Sequence, residues 1–227
     1  MLIFLDVETT GLEKKDRVCS IAIIAIDDEK TESFYELVNE GKKIPALASS
    51  INHITNEMIK TKPKLIESKI YKFLLEHNKP STTIVGHNVK FDLDMLHVAG
   101  YNFVGEIVDT LRVTKHLIPE CEFFSLQFLR YELKLYKKEK ESLHAHDAQG
   151  DVQVVQYLYE YLLDMGTRES FVELSFKKVL IKKFEFGKYS GRYIEEISMI
   201  DRGYLEWMLG NIVDMNEDLR YSIGYYL

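Results

Sequence analysis

The fold is decided by the stretch Leu2-Ile3-Phe4-Leu5-Asp6-Val7-Glu8-Thr9-Thr10-Gly11-Leu12. Four apolar residues that lead into Asp6 and Glu8, before the breaker Gly11, predict a buried strand with acidic residues at its end. Because side chains alternate along a strand, Asp6 and Glu8 lie on the same face. Two carboxylates held together there repel each other unless a cation lies between them. The stretch therefore predicts a metal site at the end of a buried strand.

Length and composition place the chain among soluble globular proteins. Its 227 residues suffice for one domain, or for one domain with a small appendage. Hydrophobic residues make up 46% and charged residues 29%, which excludes a fibre or a disordered chain. The longest apolar run, Ile21 to Ile26, is far shorter than the ~20 residues of a membrane helix. We therefore expect no membrane partner.

The cysteines and the first residues indicate the compartment. Cys19 and Cys121 are too few for a disulfide framework and lack the spacing of a zinc site. The apolar run from Leu2 stops at Asp6 without a basic flank, unlike a signal peptide. We expect two buried thiols in a reducing compartment, and hence a cytoplasmic protein.

The charge balance restricts how the chain could bind nucleic acid. The net charge is −7, from 29 basic and 36 acidic residues, and residues 1–170 carry −6 of it. This argues against a protein that holds nucleic acid by a dense lysine surface. It leaves open a protein that binds phosphate through metal ions.

Apolar periodicity predicts a mixed α/β sheet flanked by helices. Strands come first and alternation with helices follows, which favours a mixed sheet over a purely parallel one. Turn residues Asp27 to Lys30 join two strands into a hairpin, Ser125 is a candidate N-cap, and the region 41–61 is predicted to be a loop. The predicted strands are 2–7, 18–26, 34–38, 82–85 and 107–108, and the predicted helices are 65–75, 91–99, 111–118, 126–134 and 152–163.

Two further acids could complete the metal site. The pattern His-x4-Asp occurs twice, as His87/Asp92 and His146/Asp151. Asp92 and Asp151 would make the ligand set all oxygen. Such a set suits magnesium or manganese rather than zinc.

Three segments resemble the motifs of the DEDDh group of 3′→5′ exonucleases, the DnaQ-like enzymes with a ribonuclease H-like fold. They occur in the family's order over residues 1–165, and the resemblance implies the same fold and activity. The segments are Phe4 to Leu12, similar to the first motif; Gly86-His87-Asn88-Val89-Lys90-Phe91-Asp92, similar to His-Asn-x-x-Phe-Asp; and His146-Asp147-Ala148-Gln149-Gly150-Asp151, similar to His-x-Ala-x-x-Asp.

The resemblance implies catalytic roles. His146 would take the proton from the attacking water, a task suited to a side chain that changes charge near neutral pH. His144 lacks the alanine and aspartate at the family's spacing and is interpreted as a surface residue. Four carboxylates would hold two ions, Mg²⁺ or Mn²⁺, about 3.5–4 Å apart, and Asp6 would bridge both ions. These metal ligands are Asp6, Glu8, Asp92 and Asp151.

The same resemblance suggests residues that contact substrate. Leu12 would lie against the terminal base, although packing within the protein explains it equally well. His53 lies in a segment similar to the family's loop beside the 3′-nucleotide pocket, Asn52-His53-Ile54-Thr55. Asn88 could reach phosphate or sugar, or could cap the following helix. The substrate-binding candidates are Thr9, Leu12, His53 and Asn88.

A second unit begins near Gly166. Residues 184–193 predict a small hairpin, followed by a helix over Tyr204 to Leu209. Residues 177–192 contain six basic residues and one acidic residue, Glu185, which gives a local charge of +5. Cations beside aromatic rings are typical of surfaces that bind single-stranded nucleic acid. Alternatively, the aromatic residues form the core of a small module. They are Phe184, Phe186, Tyr193 and Trp207.

The C-terminal unit contains Phe186-Gly187-Lys188-Tyr189, then Gly191, then Asp201-Arg202-Gly203-Tyr204-Leu205-Glu206-Trp207. This pattern resembles the segment that trails the nuclease domain in exonuclease X-type enzymes. The resemblance divides the chain into a DEDDh exonuclease domain at 1–165, a linker at 166–176 and an exonuclease X-type module at 177–227. It implies a metal-dependent 3′→5′ exodeoxyribonuclease that releases nucleoside 5′-monophosphates from single-stranded or duplex DNA, in DNA repair or turnover.

Three alternatives remain. One is an RNA-trimming exoribonuclease similar to ribonuclease T or oligoribonuclease, and another is a proofreading subunit whose tail binds a DNA polymerase. The third is a catalytically silent nucleic-acid-binding module, against which the four intact acids and His146 argue. RNA as a substrate and a homodimer as the assembly stay open.

Overall fold

The computed structural model describes residues 1–28, 30–139, 143 and 146–227. These residues divide into two compact units, Met1–Ser175 (unit 1) and Phe176–Leu227 (unit 2). Every helix in the described part of the chain is too short or too polar to cross a bilayer.

Unit 1 contains a mixed sheet, for which the described residues supply five strands. They are β1 (Leu2–Thr9), β2 (Val18–Asp27), β3 (Lys30–Leu37), β4 (Thr83–Gly86) and β5 (Glu106–Asp109), in the spatial order β3-β2-β1-β4-β5. Strand β2 is antiparallel to β1 and β3, whereas β4 is parallel to β1 and β5. The predicted mixed sheet and its hairpin are confirmed.

The central strand β1 uses its two faces differently. Ile3, Leu5 and Val7 are buried in the core on one face. Phe4 is buried in a separate core on the other face, where Asp6 and Glu8 follow it. Because helices cover both faces, the strand is apolar at every position until the first acid.

Helices flank this sheet, and their local signals explain most of their boundaries. Ser125 caps its helix by accepting from the Phe128 N–H at 3.3 Å, as predicted. Ser68 accepts from the Tyr71 N–H at 3.0 Å and divides the predicted helix 65–75 into a 3₁₀ turn and an α-helix. The helices of unit 1 are α1 (Ala46–Asn52), α2 (Asn56–Ile59), α3 (Lys69–Glu76), α4 (Val89–Val98), α5 (Thr110–Leu117), α6 (Leu126–Glu132), α7 (Ala148–Leu162) and α8 (Arg168–Phe176), with 3₁₀ turns at Leu65–Glu67 and Leu135–Lys138.

Two segments differ from the expectation. The region 41–61, predicted as a loop, contains α1 and α2, which are too short to show helical periodicity and are bounded by Pro45 and the Thr55 cap. The predicted linker 166–176 contains α8. Phe171 on α8 is fully buried, with its ring against the edge of Tyr159 at 5.9 Å between centroids.

Unit 2 is a small helical module. Its helices α9 (Ile194–Ile200), α10 (Arg202–Asn211) and α11 (Glu217–Tyr226) pack around a core that includes Phe184. The predicted helix lies within α10. The predicted hairpin is reduced to one antiparallel bridge, between Lys183 and Tyr193, because turn hydrogen bonds such as Ser190 N–H to Gly187 O replace strand pairing between them.

The surface of unit 2 is more aromatic and less cationic than its sequence indicates. Of the four aromatic candidates for its core, only Phe184 is buried. Two of the counted cations have acidic partners from the following helical region: Lys188 with Asp201 and Arg192 with Glu196. The exposed aromatic residues are Phe186, Tyr193 and Trp207.

Candidate active site

Asp6 and Glu8 lie where β1 extends beyond its parallel neighbour. Strand β4 pairs only with Leu2 to Phe4, so among the described strands the rest of β1 is paired with β2 alone. Both acidic residues are half-buried, on the face over which α7 packs. No residue that the structure describes donates a hydrogen bond to either carboxylate. Their oxygen atoms are therefore available as ligands.

Asp92 takes the place of a strand partner beside β1. The Val7 N–H, left unpaired where β4 ends, donates to Asp92 Oδ1 at 3.0 Å. The turn from β4 into α4 approaches β1 closely: a Cβ on Gly86 would lie 2.7 Å from Val89 Cγ2 and 3.1 Å from the Leu5 carbonyl oxygen. This close turn places the buried Asp92 at the end of β1.

Asp151 comes from the first turn of α7. Gln127 Nε2 donates to Oδ1 at 2.5 Å, and the His146 backbone N–H donates to Oδ2 at 3.0 Å. One carboxylate oxygen each from Asp6, Glu8 and Asp151 lie within 4.8 Å of one another. Gln127 is not among the residues predicted from the motifs, because it lies on α6, outside all three of them.

The electrostatics of this carboxylate cluster (Asp6, Glu8, Asp92 and Asp151) oppose ionisation. Burial, followed by the charges of Asp151 and Asp147, raises the pKa of Glu8 to about 8. Burial raises the pKa of Asp151 to about 6. Burial is also the main cause that raises the pKa values of Asp6 and Asp92 well above their usual range. The cluster needs a counter-charge to be fully ionised.

The donor set fits a hard divalent cation. All four groups are carboxylates. Asp6, Glu8 and Asp151 form the group within 4.8 Å, whereas Asp92 lies outside that group and is close enough for its charge to raise the pKa of Asp6. Asp6 and Glu8 have no hydrogen-bond donor among the described residues. Oxygen-only sets of this kind suit Mg²⁺ or Mn²⁺. A cation would also favour the ionised carboxylates, and so offset the effects of burial and of neighbouring charges on their pKa values.

His146 lies at the edge of the cluster. Its backbone adopts the left-handed conformation, with φ of 57°, and its side chain is exposed. Its ring is close enough to Asp151 that its charge opposes the burial-driven rise of the Asp151 pKa. His144, the other histidine of this segment, lies outside the described residues.

His87, in the second motif, has a structural role, because both of its ring nitrogens lie within hydrogen-bond distance of protein atoms. Its Nδ1 lies 3.0 Å from Thr110 Oγ1 and its Nε2 lies 2.8 Å from the Phe124 carbonyl oxygen. Burial lowers the pKa of His87 to about 4. The ring is therefore a neutral structural group near physiological pH.

The substrate candidates lie near the end of β1 or at the start of α4. Leu12 is 83% exposed, so packing within the described protein does not explain it. The Thr9 hydroxyl donates to the Gly11 carbonyl at 2.6 Å. Asn52 Nδ2 donates to the Thr9 carbonyl at 3.3 Å. Because the exposed His53 directly follows Asn52, this bond places His53 near the end of β1. The Asn88 side chain is exposed and makes no capping hydrogen bond to α4, so the alternative that it caps this helix is not observed.

Family comparisons match both parts of the chain. A sequence model described as exonuclease matches residues 3–159, and one described as exodeoxyribonuclease X-like C-terminal matches residues 184–213. These matches confirm the predicted resemblance.

Individual relatives agree with this result. Exodeoxyribonuclease 10 of Escherichia coli (strain K12) is 27% identical over 230 residues, which cover 100% of this chain and 99% of that protein. DNA polymerase III subunit epsilon of Treponema pallidum (strain Nichols) is 28% identical over 70% of this chain and 74% of its own length. The solved exonuclease X in complex with 5′ overhanging duplex DNA is 25% identical, with a TM-score of 0.63, over 77% of this chain and 99% of that chain. The expected fold class is confirmed.

The raised pKa values predict how stability depends on pH. Without divalent ions, we expect the free energy of unfolding to fall as the pH rises from about 4.5 to about 8, the unfolded and folded pKa values of Glu8. In this range the carboxylate cluster binds more protons in the folded protein than in the unfolded chain, so raising the pH favours unfolding. The lowered pKa of His87 acts in the opposite direction below about pH 6.5, but through a single group. Mg²⁺ should oppose the decline, because its binding requires deprotonated carboxylates. Urea unfolding across this pH range, in chelator and in Mg²⁺, measures both effects.

Two variants make this measurement specific. Glu8→Gln should reduce the decline in chelator by the share that Glu8 contributes, whereas Glu13→Gln, at an exposed acid, should leave it as in the wild type. A free energy of unfolding that stays level in chelator would contradict the raised pKa values.

Proposed function

The chain belongs to the exonuclease family, whose model matches residues 3–159, and we propose that it removes nucleotides from DNA 3′ ends with two Mg²⁺ or Mn²⁺ ions. It is a 3′→5′ exonuclease, a metal-dependent hydrolase of phosphodiester bonds. The proposed products are nucleoside 5′-monophosphates, and a role in DNA repair or turnover is part of the proposal.

One observation carries this proposal. Three segments that are far apart in the sequence bring their carboxylates together at the end of β1. When bound, divalent ions supply charge neutralisation for the attacking and leaving oxygens of an in-line displacement. The ligands we propose are Asp6, Glu8, Asp92 and Asp151.

The chain's own groups orient these ligands. The Val7 N–H restrains Asp92, while Gln127 and the His146 N–H restrain Asp151. Such hydrogen bonds hold a functional group near one geometry before substrate arrives. Asp6 and Glu8, without donors among the described residues, keep their oxygen lone pairs for a cation.

We propose His146 as the general base. Its exposed ring can accept a proton from the attacking water and release it to solvent. The same residue's N–H holds Asp151, so the base and one ligand are positioned together. We also propose that Thr9, Leu12, His53 and Asn88 contact the terminal nucleotide, with Leu12 against its base.

Relatives support DNA as the substrate. The relative from E. coli is named an exodeoxyribonuclease, and it matches both units of this chain. The solved exonuclease X is in complex with 5′ overhanging duplex DNA. The match of residues 184–213 to an exodeoxyribonuclease X-like C-terminal region favours this substrate over RNA trimming and over a proofreading subunit.

Unit 2 offers a surface for single-stranded DNA. Phe186 and Tyr193 are exposed, and Lys183 Nζ lies 4.7 Å from the Tyr193 ring centroid. Exposed rings beside cations can stack on bases and attract the backbone. We therefore assign unit 2 a role in substrate binding.

Removing a metal ligand tests the central claim. Asp6→Asn should nearly abolish the stepwise shortening of 5′-labelled DNA in Mg²⁺, because it removes one ligand charge from the cluster. Its stability in chelator should not decrease, because the substitution relieves repulsion. Asp94→Asn, at an exposed acid paired with Lys90, is the matched control and should be as active as the wild type. Persistent activity in chelator, or release of the labelled 5′ nucleotide first, would contradict the proposal.

His146, in the third motif, and His144, just before it, have different expected effects. His146→Ala should lower the rate roughly 10²–10⁴-fold if its ring is the general base. Hydroxide should partly replace the base, so the loss should shrink at high pH. His144→Ala should be close to the wild type in a pH–rate profile. The opposite ranking would place the base two residues earlier.

The role of unit 2 is tested at its exposed rings. Phe186→Ala and Tyr193→Ala should each weaken single-strand binding by about tenfold, through lost base stacking. Tyr225→Ala, at an exposed tyrosine on α11, is the control. Fluorescence anisotropy of a labelled strand measures the affinity. Unchanged affinity in both variants would favour a protein partner for this surface.

A further inference from the structure

We infer that a lysine-lined cavity of unit 1 binds phosphodiester groups of the nucleic acid, in addition to the site at the carboxylate cluster. The cavity has a volume of about 280 Å³, which is ample for a phosphate group. This inference rests on the proposed function and extends it to the substrate beyond its terminal nucleotide. The polar side chains of the cavity belong to Asn39, Lys42, Lys43, Asn56 and Lys60.

The lining is cationic in a chain whose net charge is −7. Of the residues that the structure describes, three lysines and no acidic residue line the cavity. Lys43 and Lys60 are exposed, and neither forms an ion pair with any residue that the structure describes. Both are close enough to Glu57 to lower its pKa, although the hydrogen bonds of Glu57 with its own backbone and Thr55 contribute more. Two cations thus remain available for an external anion.

The cavity is a depression open to solvent, and hydrogen bonds fix the backbone that lines it. Asn56 Nδ2 donates to the Ile44 carbonyl at 2.9 Å, and the Ile44 N–H donates to Asn56 Oδ1 at 2.8 Å. This pair of bonds joins the two segments that carry the lysines. The Gly41 N–H also donates to Asn39 Oδ1, at 2.9 Å. A site shaped in advance loses less conformational entropy when an anion binds.

Lys42 connects the cavity to the loop that follows β1. Its Nζ donates to Asp16 Oδ1 at 2.5 Å and to the Lys15 carbonyl at 2.7 Å. The Asp16 carboxylate, which is buried, also accepts from Thr10 Oγ1 at 3.1 Å and from the Glu13 N–H at 2.9 Å. The loop is therefore bonded to a wall of the cavity.

This loop presents the exposed Leu12. Its close packing requires glycine at position 11, because a Cβ on Gly11 would lie 2.5 Å from Asp16 Oδ2. The leucine proposed to meet the terminal base and the lysines proposed to meet phosphate are thus joined through one ion pair, Lys42–Asp16. Such a connection keeps the two contacts in a fixed relation.

The phosphate could come from either strand of the substrate. In the cleaved strand it would lie on the 5′ side of the terminal nucleotide, and in a duplex it could belong to the complementary strand. Both sources present the same monoanionic diester to Lys43 and Lys60. Single-stranded DNA and a duplex with a recessed 3′ end distinguish them.

The experiment compares two charge-matched double variants of the full chain. Lys43→Gln/Lys60→Gln removes the two available cations of the cavity. Lys62→Gln/Lys64→Gln removes two exposed lysines close in sequence that do not line it. Binding of a 5′-fluorescent DNA strand is measured by anisotropy in chelator over a series of salt concentrations, and KM and kcat are measured in Mg²⁺.

We expect the cavity variant to reduce the salt dependence of binding. Two lost phosphate contacts lower the slope of log affinity against log salt by about 1.4 for a single strand, or about 1.8 for a duplex. Raising salt from about 50 to about 200 mM should then weaken the wild type about sevenfold more than the variant, for a single strand. KM should rise with kcat nearly unchanged. The control variant should keep the wild-type slope.

The outcomes separate the inference from the proposed function. A changed slope with both DNA forms assigns the phosphate to the cleaved strand, and a change with the duplex alone assigns it to the complementary strand. Equal slopes for the two double variants would overturn the inference while leaving the exonuclease activity in place. A wild-type protein that shortens no DNA in Mg²⁺ would instead overturn the proposed function.

Discussion

The burial of several carboxylates close together at the end of β1 is the constraint on which the rest of the site depends. Burying several acids together is unfavourable unless protons or a cation neutralise them, and the pKa of Glu8 at about 8 reflects this cost. Hydrogen bonds offset part of this cost, because backbone and side-chain amide N–H groups donate to the carboxylates of Asp92 and Asp151. Asp6 and Glu8 then face the shared space without donors from the described residues.

The sheet supplies this arrangement through a difference in strand length. Since β4 ends at Gly86, the Val7 N–H has no partner among the described strands, and the Asp92 carboxylate accepts its hydrogen bond. An unsatisfied backbone group would otherwise be costly at this depth. A requirement of the backbone thus positions a proposed metal ligand, which connects the stability of the fold with the geometry of the site.

The charge distribution explains how an acidic chain can act on a polyanion. A cluster loaded with divalent ions would no longer repel phosphate. The lysine-lined cavity offers positive charge elsewhere on unit 1, although the net charge is −7. In unit 2, acids of the helical region pair with Lys188 and Arg192, so its exposed rings become the more prominent feature of that surface.

Periodicity and motif spacing in the sequence by themselves determined the mixed sheet, its hairpin and the candidate acids. The alternation of side chains along β1 predicted that Asp6 and Glu8 share a face. The residue type of Ser125 alone predicted that it caps its helix. These features are local consequences of backbone geometry, so a single segment carries them. Tertiary structure alone decided that α1 and α2 replace a loop and that Gln127 supports Asp151. It also decided that Lys42 joins the cavity to the loop of Leu12. Contacts of this kind join segments distant in the chain, and they exist only once packing brings those segments together.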